Sequence, residues 1–196
     1  MSEQSTQKGS GAPAGRPATL LRFRRDRKGS VAIEFSLLAI PFSLLLFAIL
    51  ESCISFAGSQ LLANATDNVA RQIRTGQGDF KVGTMTQQSV RDAICEQLEI
   101  IVADGCPGLK IDLREYTTFK QAADMTIVYT GSGSDRELAG SNFAFTPGKS
   151  MTKNMLRTFY EWPVMTDFMR KAMSSLEGGK TLHFASVTWQ NEPFDD

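Results

Sequence analysis

Apolar and polar positions follow three successive rhythms along this chain. Residues 35–50 form a run of 16 positions without a single charge, rich in Leu, Phe and Ile. At 1.5 Å per residue this run gives roughly 24 Å of helix, against a bilayer hydrocarbon thickness of about 30 Å. Extension to Ala57 across Glu51 and Ser52 brings the helix to roughly 34 Å, with Glu51 near the outer interface where a charge costs less. Apolar residues then recur at helical spacing as Leu61, Leu62, Ala65, Val69 and Ile73, and Gly76 and Gly78 close the segment. The pattern predicts one helix of some 45 residues, half apolar all round and half amphipathic, bent at Pro41, which has no backbone N–H.

A second helix is expected where Thr84 and Gln87 have capping-box spacing, with Val90, Ile94, Leu98, Ile101 and Val102 as its stripe and Gly105 and Pro107 as its end. There the period changes from 3.6 to 2. Leu109, Ile111 and Leu113 alternate with Lys110, Asp112 and Arg114, the signature of a half-buried strand. Residues 125–130 are expected to pair beside it, and 131–149 to form a loop. Residues 151–162 and 181–189 read as two more strands, separated by a helical 166–176 and a turn at Gly178-Gly179. The expected fold class is α+β: a long N-terminal transmembrane-plus-amphipathic helix, then a helix packed on a small antiparallel sheet in a periplasmic domain. The divisions fall at 1–29 (a disordered, basic, cytoplasmic leader), 30–78 (the long helix) and 79–196 (the periplasmic domain).

Charge sets the orientation. The 196 residues have no formal net charge, so nothing draws the whole chain to nucleic acid. Before Ser30, however, seven basic residues stand against Glu3 and Asp26, a local +5 balanced by −5 in the remainder. Basic residues on the N-terminal flank hold that side in the cytoplasm and send the rest across. Residues 1–21 are too poor in large apolar groups to order themselves. In a translocated region Cys95 and Cys106 can hold a disulfide, closing a short loop and stabilising by about 3 kcal/mol; two unpaired thiols are the alternative. Cys53, at the outer end of the span, has no partner within easy reach.

No catalytic constellation emerges. The single histidine, His183, lies in a strand pattern and reads as structural or merely exposed. No Cys/His group has metal-ligand spacing, and Gly131-Ser132-Gly133 lacks the further glycine and lysine of a phosphate loop. Asp135-Arg136-Glu137 and Asp195-Asp196 read as solvated charge. Asn64-Ala65-Thr66 fits a glycosylation sequon but falls on a predicted helix. The expectation is a non-enzyme with no cofactor, no metal, no nucleic acid and no small-molecule substrate.

The run Arg24-Arg25-Asp26-Arg27-Lys28-Gly29-Ser30-Val31-Ala32-Ile33-Glu34 carries the most information. A secretory signal would need a shorter apolar core and a small-x-small site, which Glu51-Ser52-Cys53 does not supply. A lipoprotein signal at Leu50-Glu51-Ser52-Cys53 fits poorly and would discard the membrane helix. Cleavage after Gly29 leaves the whole helix on the mature protein and frees an amine on Ser30, one turn from Glu34. A carboxylate and an ammonium that meet in the membrane offset each other's desolvation, so Glu34 of one subunit can meet the amine of its neighbour. The alternative at this point is an ordinary anchor with Glu34 at the cytoplasmic interface.

Lys28-Gly29-Ser30-Val31-Ala32-Ile33-Glu34-Phe35, Ala39-Ile40-Pro41 and the Leu/Phe run to Leu50-Glu51 resemble the TadE-like pseudopilins of the tight-adherence (Tad, or Flp) pilus machinery. Phe145-Thr146-Pro147-Gly148, Tyr160-Glu161-Trp162-Pro163 and Asn191-Glu192-Pro193-Phe194 resemble further segments of such proteins. The resemblance implies processing by an inner-membrane prepilin peptidase between Gly29 and Ser30. It makes Glu34 and Phe35 assembly residues, Pro41 a helix kink, and other pseudopilins, inner-membrane Tad assembly proteins and membrane lipid the partners. It implies a single-pass bacterial inner-membrane protein with its C-terminal domain periplasmic. The domain is far bulkier than a small major pilin, which points to a minor subunit in pilus assembly, adherence or secretion. The alternative is an uncleaved, membrane-anchored periplasmic adaptor or binding module.

Overall fold

A computed structural model describes residues 30–81 and 83–193. Gly29, the basic leader, Phe194 and the Asp195-Asp196 pair lie outside the described residues. Helix α1 covers Ser30–Thr75 as one 46-residue element that runs unbroken through Pro41, and Gly76 takes the positive φ (61°) that ends it. The chain divides into one unit ending at Leu45 and another from Leu46 onward, so α1 contributes to both.

In the second unit, α2 (Gln87–Leu98) precedes strand β1 (Leu109–Tyr116), short helix α3 (Phe119–Ala123) and strands β2 (Tyr129–Thr130), β3 (Glu137–Leu138) and β4 (Phe145–Thr146). Strand β5 (Lys153–Pro163), helix α4 (Asp167–Met173) and strand β6 (Lys180–Gln190) complete it. The main sheet has the order β4-β1-β5-β6. β5 pairs antiparallel with both β1 and β6, as the alternating stretches predict, while β4 joins β1 in parallel. The class is therefore α+β, and the sheet is mixed, not purely antiparallel.

The register explains the core. Leu109, Ile111 and Leu113 of β1 stand opposite Tyr160, Thr158 and Leu156 of β5, which face His183, Ala185 and Val187 of β6. These side chains share one face of the sheet, because successive residues of a strand alternate sides. Leu62, Ala65, Val69 and Ile73 of α1 and Val90, Ile94 and Leu98 of α2 join them in one buried cluster. On the opposite face the buried Asp112 accepts from Arg157, from Arg114 Nε at 2.8 Å and from the Ala144 amide at 2.7 Å. With those partners the ionic group does not stand unpaired in the interior.

Four expectations are corrected. The capping box of α2 is built by Thr86 and Ser89, not Thr84 and Gln87: Thr86 Oγ1 accepts from Ser89 N and Ser89 Oγ accepts from Thr86 N, both at 3.0 Å. The helix also stops at Leu98. Continuing it to Gly105 would carry residue 106 roughly 16 Å along the axis from Cys95, yet those two residues are bridged, with Cα atoms 5.7 Å apart. Long helix and disulfide exclude one another, and the chain turns back while Arg91 gathers the carbonyls of Gly105, Cys106 and Leu109. Third, residues 125–130 do not pair beside β1. Arg157 Nη1 holds the Thr126 carbonyl at 3.3 Å, and only Tyr129–Thr130 become a strand, in a separate two-stranded sheet with β3. Fourth, the expected loop at 131–149 contains β3 and also β4, which takes the free edge of β1.

Candidate functional site

The N-terminal end of α1 presents its polar groups along one edge. Ser30 Oγ donates to Glu34 Oε1 at 2.8 Å, a contact between residues one turn apart. Phe35 follows with 71% of its surface exposed. Pro41 withholds the N–H that the Leu37 carbonyl would otherwise receive. From Val31 to Leu50 no side chain of α1 is buried. A helix that is apolar all round and uncovered has the character of a membrane span, and this helix is long and apolar enough to cross a bilayer.

Beyond Leu50 the same helix acquires a covered seam: Glu51, Ser55, Gly58, Leu62, Ala65, Thr66, Val69, Ala70 and Ile73 are buried. Spacings of three and four keep these positions on one stripe. Most of the first seam residues are small or polar, and each has a specific partner. Glu51 accepts from the backbone amides of Met165 and Thr166 and from the Thr166 hydroxyl, the residue that caps α4. Ser55 Oγ meets His183 Nε2 at 3.0 Å, and the His183 ring stacks on Trp162 at 5.1 Å between centroids. Gly58 lets the helix close onto that indole: a Cβ there would lie 2.7 Å from Trp162 Cζ3. Thr66 Oγ1 lies 2.6 Å from Thr158 Oγ1 and also bonds the Leu62 carbonyl at 2.7 Å. At the far end Arg74 pairs with Glu192 at 2.8 Å, and Glu192 N donates to the Arg74 carbonyl.

Several sequence readings change accordingly. The segment 51–57 is not lipid-facing on all sides, since Glu51 and Ser55 are covered by the domain while Ile54 and Phe56 remain exposed. The threonine of the Asn64-Ala65-Thr66 sequon is fully buried in the seam. His183 is structural, and burial lowers its pKa below the ordinary 6.5. Cys95 and Cys106 are joined, and Cys53 is free and exposed. The seam was within reach of sequence reasoning: the stripe read from Leu62 continues back through Gly58, Ser55 and Glu51 at the same spacing. Small and polar residues hid it beneath the stronger apolar signal around them.

The segments that resemble pseudopilins outside the helix have structural tasks. Gly148 N donates to Asn154 Oδ1 at 2.8 Å, and Asn191 Nδ2 donates to the Gly148 carbonyl at 2.9 Å. Tyr160 and Trp162 are buried beneath the helices. Burial would raise the carboxyl pKa of Glu161, but hydrogen bonds and charge from Lys110 and Lys180 outweigh it and hold it below its usual range. Among the described residues no group of three His, Cys, Asp or Glu side chains is placed to hold a metal ion.

Residues 29–71 match the family described as TadE-like protein. The chain carries a TadE-like segment. No curated protein and no solved structure matches the chain. The TadE-like segment takes in the uncovered apolar stretch and nearly all of the seam, stopping one turn short of the end of α1. The sheet and its connections lie beyond the match.

Proposed function

We propose that this protein is a minor pseudopilin of a Tad/Flp pilus, cut by a prepilin peptidase between Gly29 and Ser30 and held in the inner membrane by α1. The observation that carries the reading is the division of α1: an uncovered apolar half that begins with Ser30 and Glu34, and a second half bound to a folded domain. In this reading the basic leader stays cytoplasmic, the domain is periplasmic, and the partners are the peptidase, other pseudopilins and inner-membrane Tad proteins. Glu34 bonds Ser30 within its own chain. After cleavage the same carboxylate has the new amine of a neighbouring subunit as a stronger partner, and Phe35 beside it packs against that neighbour. The role is assembly, with no catalysis and no cofactor.

Mass spectrometry of the protein extracted from membranes of cells with an active prepilin peptidase tests this. A mature N-terminus at Ser30 is expected. An intact leader would refute processing and favour an uncleaved anchored adaptor. Glu34→Ala is expected to be cleaved normally yet to fail in pilus assembly; undiminished assembly would remove Glu34 from its role.

A further inference from the structure

Among the described residues, helix α4 and the segment leading into it expose large apolar side chains. Met165 and Phe168 are 71% and 66% exposed, Met169 and Met173 share their side at helical spacing, and no residue of α4 is buried. Among the connections of a folded domain, such a face on a seven-residue helix calls for a surface to cover it. Its position along α1 is fixed. Glu51 holds the amides of Met165 and Thr166, and Ser52 Oγ lies 3.8 Å from Met173 Sδ. Glu51 is the residue at which the uncovered apolar stretch of α1 ends. Exposed Ile54 and Phe56 extend the same apolar character just past that point. Arg170 pairs with Asp167 at 2.8 Å, which leaves the exposed Lys171 as the unbalanced positive charge of α4, beside the methionines. Apolar side chains flanked by basic ones are the composition of an interfacial membrane helix.

We infer that α4 lies in the lipid headgroup boundary, with Met165 and Phe168 inserted beside the exit of α1 and Lys171 among the phosphates. This rests on the reading of α1 as a membrane span. Glu51 then both anchors the residues that lead into α4 and sets the depth at which it meets lipid.

The test uses the full chain in phosphatidylcholine–phosphatidylglycerol vesicles, with Cys53→Ser and one nitroxide label at a time, at Phe168→Cys, Met165→Cys, Leu44→Cys or Asp79→Cys. Collision of each label with oxygen, which concentrates in lipid, is compared with collision with a water-soluble nickel chelate. The oxygen-to-nickel ratio is expected to be severalfold higher at 165 and 168 than at exposed Asp79, and highest at Leu44. A high ratio at 44 with values at 165 and 168 equal to that at 79 would overturn the placement of α4 and leave the span standing. A low ratio at 44 would overturn both. Spin–spin broadening at 168 that grows with the protein-to-lipid ratio would assign the face to a second copy, and would also overturn the lipid assignment.

Discussion

The two halves of α1 are built on the same backbone and meet different surroundings. From Val31 to Leu50 large apolar side chains point in every direction and none is buried. From Glu51 to Ile73 only one stripe is covered, and its first members are Glu51, Ser55 and Gly58. In the proposed membrane setting the first half, Glu34 and Phe35 apart, is specified by composition, since lipid accepts any arrangement of Leu, Ile and Phe. The second is specified residue by residue, since a sheet surface accepts only the shapes and donors that match it. A single helix can therefore be tolerant at one end and exacting at the other.

Charge separates the halves most strongly. Leu45→Arg is expected to cost about 3 kcal/mol of membrane insertion, on the scale for a charge near mid-bilayer, and to shift the protein from the alkali-resistant membrane fraction. The same charge at Asn64, exposed in the second half, is expected to change denaturant stability by no more than about 0.5 kcal/mol. Equal effects at the two positions would erase the distinction.

Shape comes next. Gly58→Ala places a methyl group against the buried Trp162 ring, and overpacking of this kind costs about 1–3 kcal/mol, read as a lower urea midpoint of the detergent-solubilised chain. Ala48→Gly, a similarly small change in the uncovered half, is expected to leave that midpoint in place.

Hydrogen bonding in the seam follows. Thr66→Val leaves the Thr158 hydroxyl buried without its partner, a loss of about 1–2 kcal/mol. The double variant Thr66→Val/Thr158→Val is expected to recover much of it, because both polar groups are then gone. A double variant no better than the single one would show that the pair is not coupled.

Protonation gives the smallest effect. His183 has a lowered pKa in the folded chain, so the unfolded chain binds the proton more readily. Its stabilising contribution is full above about 6.5 and is lost as pH falls through the folded value. Between about pH 7.5 and about pH 5.5 the wild-type urea midpoint should fall, and His183→Gln should flatten that fall. Glu161, with its pKa held down by Lys110 and Lys180, contributes its own acid loss at lower pH, below the usual carboxylate value of 4.5. An unchanged slope in His183→Gln would remove the histidine from the seam's pH response.

How far the sequence could be read depended on what each signal reported. The long helix, β5, β6 and the Gly178-Gly179 turn were legible because their patterns continue for many residues or rest on backbone freedom that only glycine supplies. β4 was not, since its two residues become a strand only by lying against β1. The end of α2 was missed because apolar spacing says nothing of the Cys95–Cys106 bridge that forces the chain to turn. Ser30, Glu34, Phe35 and Pro41 fall on the exposed first part of α1, where the structure adds the Ser30–Glu34 hydrogen bond and leaves their proposed roles to the experiments above. Glu51 was visible as a charge in an apolar setting, but its partners lie 114 and 115 residues further along the chain. That separation is beyond the reach of any local pattern.

The two ends of the seam also have a mechanical meaning. Glu51 ties α1 to the amides before α4, and Arg74 ties it to Glu192 after β6. The two ties are roughly 34 Å apart along the helix. A domain fastened at one point can swing about it; one strapped at both ends of a rod cannot tilt without breaking a strap. Tension along α1 is then shared as shear over the whole seam, and does not peel it open contact by contact.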